Sequence, residues 1–116
     1  SYFLPRMVGS SVASEYLLTG RFMNAQRAHA LGLVSHIGSL AEMQQEAQAL
    51  ADDMLRTTPL GLRFTKEALG HSLEMGSLDA VIAMEDRQQV LCTQSDDFRE
   101  GMQAFLEKRP PHYTGR

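Results

Sequence analysis

The chain has a single cysteine, Cys92, and no tryptophan. One thiol excludes a disulfide framework within the chain and leaves a cysteine-based zinc site unsupported. A reducing, intracellular setting is the natural reading, and cytoplasmic is the expected location. No apolar run approaches the roughly 20 residues that a membrane-crossing helix needs, and no signal-peptide pattern opens the sequence. Positive charge is also short, with 11 Lys and Arg against 14 Asp and Glu and a net charge of −3. Global attraction to nucleic acid or to anionic lipid is therefore excluded, and any anion must be recognised by a local cluster. There is no Walker A motif and no G-x-G-x-x-G, so backbone cradling of phosphates of those kinds is not indicated. His29, His36, His71 and His112 share no metal-ligand spacing, so no metal site is expected. No nucleophile-elbow motif is present.

What remains is the composition of a globular protein of one ordinary domain's length, at 116 residues with 43% hydrophobic and 22% charged. It opens "SYFLPRMVG", without Met and already apolar, and upstream residues are expected. After Pro5 and Gly9, "SSVASEYLLTG" reads as a short helix with Ser10 or Ser11 as N-cap and Gly20 as its stop. In "NAQRAHALG", Asn24 caps and Gly32 stops. "LVSHI", residues 33–37, has β-branched character and alternation and is the one expected strand. A lone strand needs a partner, which the chain does not offer.

The clearest helix is "SLAEMQQEAQALADDMLRTTP". Ser39 and Glu42 form an S-x-x-E capping box, and Leu40, Met43, Ala47, Leu50 and Met54 make an apolar stripe. Pro59 suits the first turn of the next helix, which Gly76 is expected to end. Ser77 caps another. The last helix, "DDFREGMQAFLEKR", has Asp96 and Asp97 at its positive end and Lys108 and Arg109 at its negative end, matching the macrodipole. Pro110-Pro111 stops it. The expectation is about six helices and one short strand.

Three features carry candidate chemistry. Glu85 falls between Leu78, Val81 and Ile82 on an apolar helix face, where a carboxylate is costly unless paired. It reads either as an ion-paired structural group or as a general acid or base. Cys92, beside Val90 and Leu91, reads as a buried inert thiol. Lys108 and Arg109 either neutralise the helix end or meet phosphate oxygens.

The whole chain resembles the crotonase (enoyl-CoA hydratase/isomerase) superfamily. The residues carrying the resemblance are "LPRMVG" at 4–9, "EYLLTGRFMNAQRAHALGLVSHI" at 15–37, "TKEAL" at 65–69 and "DDFREGMQAFLEKRPPHYTGR" at 96–116. Each piece alone is weak; their order and combination are specific. The resemblance covers only the later part of the family's subunit. It implies a mainly α fragment of an α/β crotonase fold, with the spiral of ββα turns and the catalytic groups upstream of Ser1. Residues 1–38 would end the core, and 39–116 would form a C-terminal helical trimerisation region.

The resemblance further implies an enzyme acting on acyl-CoA thioesters, most simply a lyase hydrating a 2-enoyl-CoA in fatty-acid or acyl-CoA metabolism. Coenzyme A would enter as part of the substrate, with no separate cofactor. Phe105 and Lys108 match positions that approach its adenine and phosphate end. Tyr2, Leu4, Pro5 and Arg6 match a segment near the acyl pocket and the subunit contact. The partner would be further copies, as a trimer or a dimer of trimers, and the polar "PPHYTGR" arm would run over the surface. The piece by itself is expected to be inactive. The alternatives are a double-bond isomerase or another reaction of the family, and a non-catalytic helical module for oligomerisation.

Overall fold

The computed structural model describes residues 1–116, and every regular element in it is a helix. In chain order these are α1 (Phe3–Val8), α2 (Ser10–Thr19), α3 (Ala25–Ala30), α4 (Leu40–Met54), α5 (Pro59–Ser72), α6 (Leu78–Thr93) and α7 (Asp96–Glu107). The chain divides into two compact units, Ser1–Gln48 and Ala49–Arg116. The sequence-based boundary at 38/39 marks the approach to α4, whereas the division of contacts falls inside that helix.

In the first unit α1 packs on α2. Helix α1 is an addition to the expected set. Pro5 lies in its first turn, where a missing amide is no loss because first-turn amides have no intrahelical acceptor. Gly9 separates the two helices at φ 82 and ψ 159, a backbone region open essentially to glycine alone. It also occupies the N-cap position of α2, so neither Ser10 nor Ser11 caps that helix. Gly20 closes α2 in the left-handed region and donates its amide to Tyr16 O, as expected. The Asn24 Oδ1 accepts from the Arg27 amide at 2.8 Å and starts α3.

The expected strand over residues 33–37 does not form. Residues 33–35 bend and residues 36–39 are irregular. A strand's amides and carbonyls need a neighbouring strand, and the chain supplies none. The capping box at the start of α4 is complete. Ser39 donates its amide to Glu42 Oε2 at 2.7 Å and its hydroxyl to the same oxygen at 2.7 Å, while the Glu42 amide returns to Ser39 Oγ at 3.3 Å. These bonds, the side-chain one first, hold the Glu42 carboxyl below its ordinary value.

In the second unit α5 packs on α6 and α6 on α7. Thr58 caps α5 ahead of Pro59, and Ser77 caps α6. Helix α5 ends at Ser72, before Gly76 is reached. The buried apolar residues are all alanines, Ala13, Ala68 and Ala104. The expected stripe residues Leu40, Leu50 and Met54 are exposed, as are Phe98, Met102, Phe105 and Leu106. The helices thus have amphipathic sequences whose apolar faces stay largely open in this chain.

Candidate functional site

The C-terminal arm folds back along α7 rather than running free. Ser95 caps the helix, accepting from the Phe98 amide at 3.1 Å. Asp97, in the first turn, is only 1% exposed. Its Oδ1 accepts from the Thr114 amide at 2.6 Å and the Thr114 hydroxyl at 3.3 Å, and its Oδ2 accepts from the Gly115 amide at 2.8 Å. The Asp97 amide, one of the donors a helix start leaves without an intrahelical acceptor, donates to Arg116 O at 3.1 Å. The arm therefore completes the cap of the helix it follows. No buried side-chain polar atom is left without a partner.

One turn further along, Glu100 faces Arg109. Arg109 donates Nη1 to Oε1 at 2.6 Å and Nη2 to Oε2 at 2.9 Å, a two-pronged pair. The His112 amide adds a bond to Oε1 at 2.8 Å. Arg109 Nε donates to Glu107 Oε2 at 2.6 Å. The Arg109 hydrogen bonds, then the His112 amide and the Arg109 charge, bring the Glu100 carboxyl from its ordinary 4.5 down to about 2. Glu107 is lowered too, by Gln103 first and Arg109 second, and Arg109 is raised in return. Between these anchors Tyr113 lies over Gly101, its hydroxyl 3.2 Å from where a β-carbon there would sit.

Lys108, at the turn from helix to arm, sits in the left-handed region at φ 53 and ψ 41, the one non-glycine residue with positive φ. An L residue there costs about 1 kcal/mol relative to the right-handed region. Its amide bonds to Phe105 O at 3.2 Å and the Arg109 amide to Ala104 O at 3.0 Å, closing α7. The Lys108 ammonium has no hydrogen-bonding or ionic partner. Phe105, three residues earlier, is 79% exposed. The two sequence-predicted positions thus share the open end of α7. Arg109, read from sequence as a possible second phosphate ligand, has every guanidinium nitrogen engaged within the chain.

In the other unit, Tyr2, Leu4, Pro5 and Arg6 come together on α1 and its approach. Arg6 Nη1 donates to Tyr2 O at 2.9 Å, and its guanidinium carbon lies 3.7 Å from the Tyr2 ring centroid. Leu4 and Pro5 are half-buried.

Glu85 and Cys92 share a groove of about 380 Å³ between α5 and α6, with Phe64, Ala68, Gln88 and Gln89 among its walls. Glu85 is exposed and has no ion pair, contrary to expectation. The face it was assigned to is itself uncovered, with Leu78 and Ile82 exposed, so its carboxylate stays hydrated. Cys92 is half-buried rather than enclosed. No group of three His, Cys, Asp or Glu side chains converges anywhere, and no helix is long and apolar enough to cross a membrane.

The sequence matches the family described as enoyl-CoA hydratase/isomerase over residues 1–116. The chain belongs to that family, and its helices are a portion of the crotonase fold. Similar proteins include the 2,3-dehydroadipyl-CoA hydratase of Escherichia coli, 40% identical over 113 residues, with 97% of this chain and 44% of the relative covered. The 1,2-epoxyphenylacetyl-CoA isomerase of the same organism is 34% identical over 116 residues, covering 100% of this chain and 44% of the relative. A crystal structure of an enoyl-CoA hydratase from Bacillus anthracis superposes with a TM-score of 0.89 at 33% identity, over 97% of this chain and 43% of that one. The chain spans about 44% of the length of the curated relatives it matches.

Asp97 reads from the sequence only as a partner of the helix dipole, and Glu100 is not singled out there; that both hold the C-terminal arm is seen only in the structure. The available signal was an acidic residue on each of two successive turns of α7, followed by Arg109 and a Thr-Gly pair in the arm.

Proposed function

We propose that the protein containing this chain is an acyl-CoA enzyme that adds water across the 2,3-double bond of a 2-enoyl-CoA thioester, in cytoplasmic fatty-acid or acyl-CoA metabolism. The observation that carries this reading is the pairing of exposed Phe105 with the unpartnered ammonium of Lys108 at the end of α7. An aromatic face stacks on a nucleobase, and an ammonium meets phosphate oxygens. Coenzyme A carries both groups and enters as part of the substrate, with no separate cofactor. In this reading Tyr2, Leu4, Pro5 and Arg6 border the acyl pocket or a subunit contact. The open apolar faces of residues 39–116 serve assembly into a trimer or a dimer of trimers. The chain alone is inactive, because the groups that polarise the thioester and move protons lie outside it.

The test is hydration of crotonyl-CoA by the full-length protein, followed by loss of the enoyl-thioester absorbance, beside the same assay on residues 1–116 alone. Turnover by the first and none by the second is the expected result. No turnover by the full-length protein on any 2-enoyl-CoA would remove the hydratase assignment. A second reading, double-bond isomerisation, is favoured by the matching family, whose description covers enoyl-CoA isomerases beside hydratases. Offering a 3-enoyl-CoA separates the two, since an isomerase yields the conjugated thioester without adding water.

A further inference from the structure

We infer that the arm over residues 109–116 is a clasp that positions Lys108 toward a phosphate of the bound nucleotide, with Glu100, Arg109 and Asp97 as positioning residues. The inference rests on the reading of Lys108 as the phosphate-facing cation and adds to it how that cation is held. Four observations meet here.

Lys108 occupies a backbone region in which glycine or asparagine is the ordinary choice at a helix end. A strained non-glycine residue persists only when its surroundings over-determine it. Those surroundings are present on the C-terminal side. Glu100 grips the Arg109 side chain and the His112 amide, and Asp97 grips Thr114 and Gly115. The chain is thus tied to α7 immediately after the turn and again at the end of the arm.

The clasp also separates two neighbouring cations that sequence presents as one basic patch. Arg109 spends its Nε, Nη1 and Nη2 on Glu107, Glu100 and Pro110 O. Lys108 spends nothing. A forked guanidinium is the better phosphate ligand in general. Here it is committed to holding the arm, and the compact ammonium is the group left to meet a ligand.

This arrangement makes a prediction of opposite sign from the simpler idea that Arg109 also binds phosphate. Releasing Arg109 by Glu100→Gln would tighten nucleotide binding if Arg109 were a ligand. It weakens binding if Glu100 acts through Lys108.

The experiment measures dissociation constants of coenzyme A and of 3′-dephospho-coenzyme A by calorimetry on the full-length protein and its variants. Lys108→Ala is expected to weaken coenzyme A about tenfold, the loss of one charge-assisted contact. The ratio of its effects on the two probes tells whether the 3′-phosphate or the pyrophosphate is met. Glu100→Gln is expected to reproduce that ratio, with a severalfold loss on the probe that Lys108 senses. Arg109→Gln should do the same, and the double variant should be no weaker than either single one, because both break one clasp. A general loss of folding would shift both probes alike, so the ratio isolates positioning. If Glu100→Gln does not fold, Arg109→Gln is placed in the Lys108→Ala background, where it costs nothing further if it acts through Lys108 and weakens binding again if Arg109 is itself a ligand.

Binding that is unchanged or tighter in Glu100→Gln or, where that does not fold, unchanged in Arg109→Gln or weakened further by it in the Lys108→Ala background, with Lys108→Ala itself weakened, would overturn the clasp while leaving Lys108 as the ligand. Binding unaffected by Lys108→Ala would overturn the phosphate reading of Lys108 and the clasp with it.

Discussion

Arg109 and Glu100 stand nine residues apart and meet through two parallel bonds of 2.6 and 2.9 Å. The pair is part-exposed, so its effect is best read through pH rather than through an assumed energy. In the folded chain the Glu100 carboxyl lies at about 2, below its ordinary 4.5. A folded value below the unfolded one means that ionised Glu100 favours the folded state above pH 4.5. That contribution is lost as pH falls from 4.5 through about 2. Glu42, lowered by Ser39, shifts stability in the same direction. Thermal melts of the full-length protein across that interval should show falling stability, and Glu100→Gln should flatten part of the slope. Raised salt should weaken the effect in the parent. An identical slope in the variant would show that the pair contributes nothing measurable.

Asp97 is the more deeply placed anchor. Its two oxygens take three donors from Thr114 and Gly115 in a setting where 1% of the residue is exposed. Asp97→Ala leaves those donors unpaired and should cost about 2–4 kcal/mol in urea unfolding of the full-length protein. Asp97→Asn should cost nearly as much, because one oxygen becomes an NH2 facing an N–H donor. Amide exchange at Thr114 and Gly115 should accelerate in both variants. Protection that survives Asp97→Ala would mean that the arm is held by something other than this carboxylate.

The helix caps offer an ordered series. Ser39 works in both directions with Glu42, whereas Ser77 makes one bond of 3.4 Å to the Ala80 amide. Replacing a serine or threonine cap by alanine costs about 1 kcal/mol on average. Ser39→Ala should exceed that average and Ser77→Ala fall below it, with Thr58→Ala between them. Chemical denaturation of the three variants gives the order, and a reversed order would mean that the caps' tertiary surroundings outweigh local hydrogen bonding.

These caps are also what the sequence made legible. Ser39 and Glu42, Asn24, Ser77 and Gly20 act within a few residues of themselves, so spacing alone reveals them. Phe105 and Lys108 come from the family resemblance instead, and spacing accounts only for their lying within one turn of each other near a helix end. The misreadings have a common cause in partners that spacing does not name. Pro5 looks like a breaker until its place in the first turn of α1 is known. Residues 33–37 have strand-like alternation, but alternation does not supply a second strand. Lys108 and Arg109 are alike as charges, yet Glu100 and Glu107 engage only Arg109. That difference arises where the chain turns back at Pro110-Pro111, bringing Asp97 to Thr114 across 17 positions.

Two helix-interior glycines should answer to alanine differently. A β-carbon at Gly70 in α5 meets nothing within 4 Å, whereas one at Gly101 in α7 comes within 3.2 Å of the Tyr113 hydroxyl. Alanine is favoured over glycine inside a helix by about 1 kcal/mol. Gly70→Ala should therefore raise the melting temperature. At Gly101 the same gain is offset by displacing Tyr113 a few tenths of an ångström, so Gly101→Ala should be close to neutral. Gly101→Val, bulkier and β-branched, should unseat the arm and lower stability. Equal gains from alanine at both sites would mean that Tyr113 is not seated as tightly as the contact implies.

The last expectation concerns the uncovered apolar surface. Leu17, Leu18 and Phe22 are exposed in one unit, and Leu69, Leu73, Leu78, Phe105 and Leu106 in the other, while the buried apolar residues are three alanines. A set of helices that hides so little apolar area gains little from folding by itself. Produced alone, residues 1–116 should bind a hydrophobic dye such as ANS, self-associate in gel filtration and melt without a sharp transition. The full-length protein should bind no dye, elute as one discrete species and melt sharply, because the proposed assembly covers the same faces. A discrete oligomer of residues 1–116 with a cooperative melt would contradict this and favour the self-standing helical module. Leu18→Lys and Leu106→Lys then locate the contact. Whichever substitution dissolves the association of the isolated chain identifies the face on which it depends.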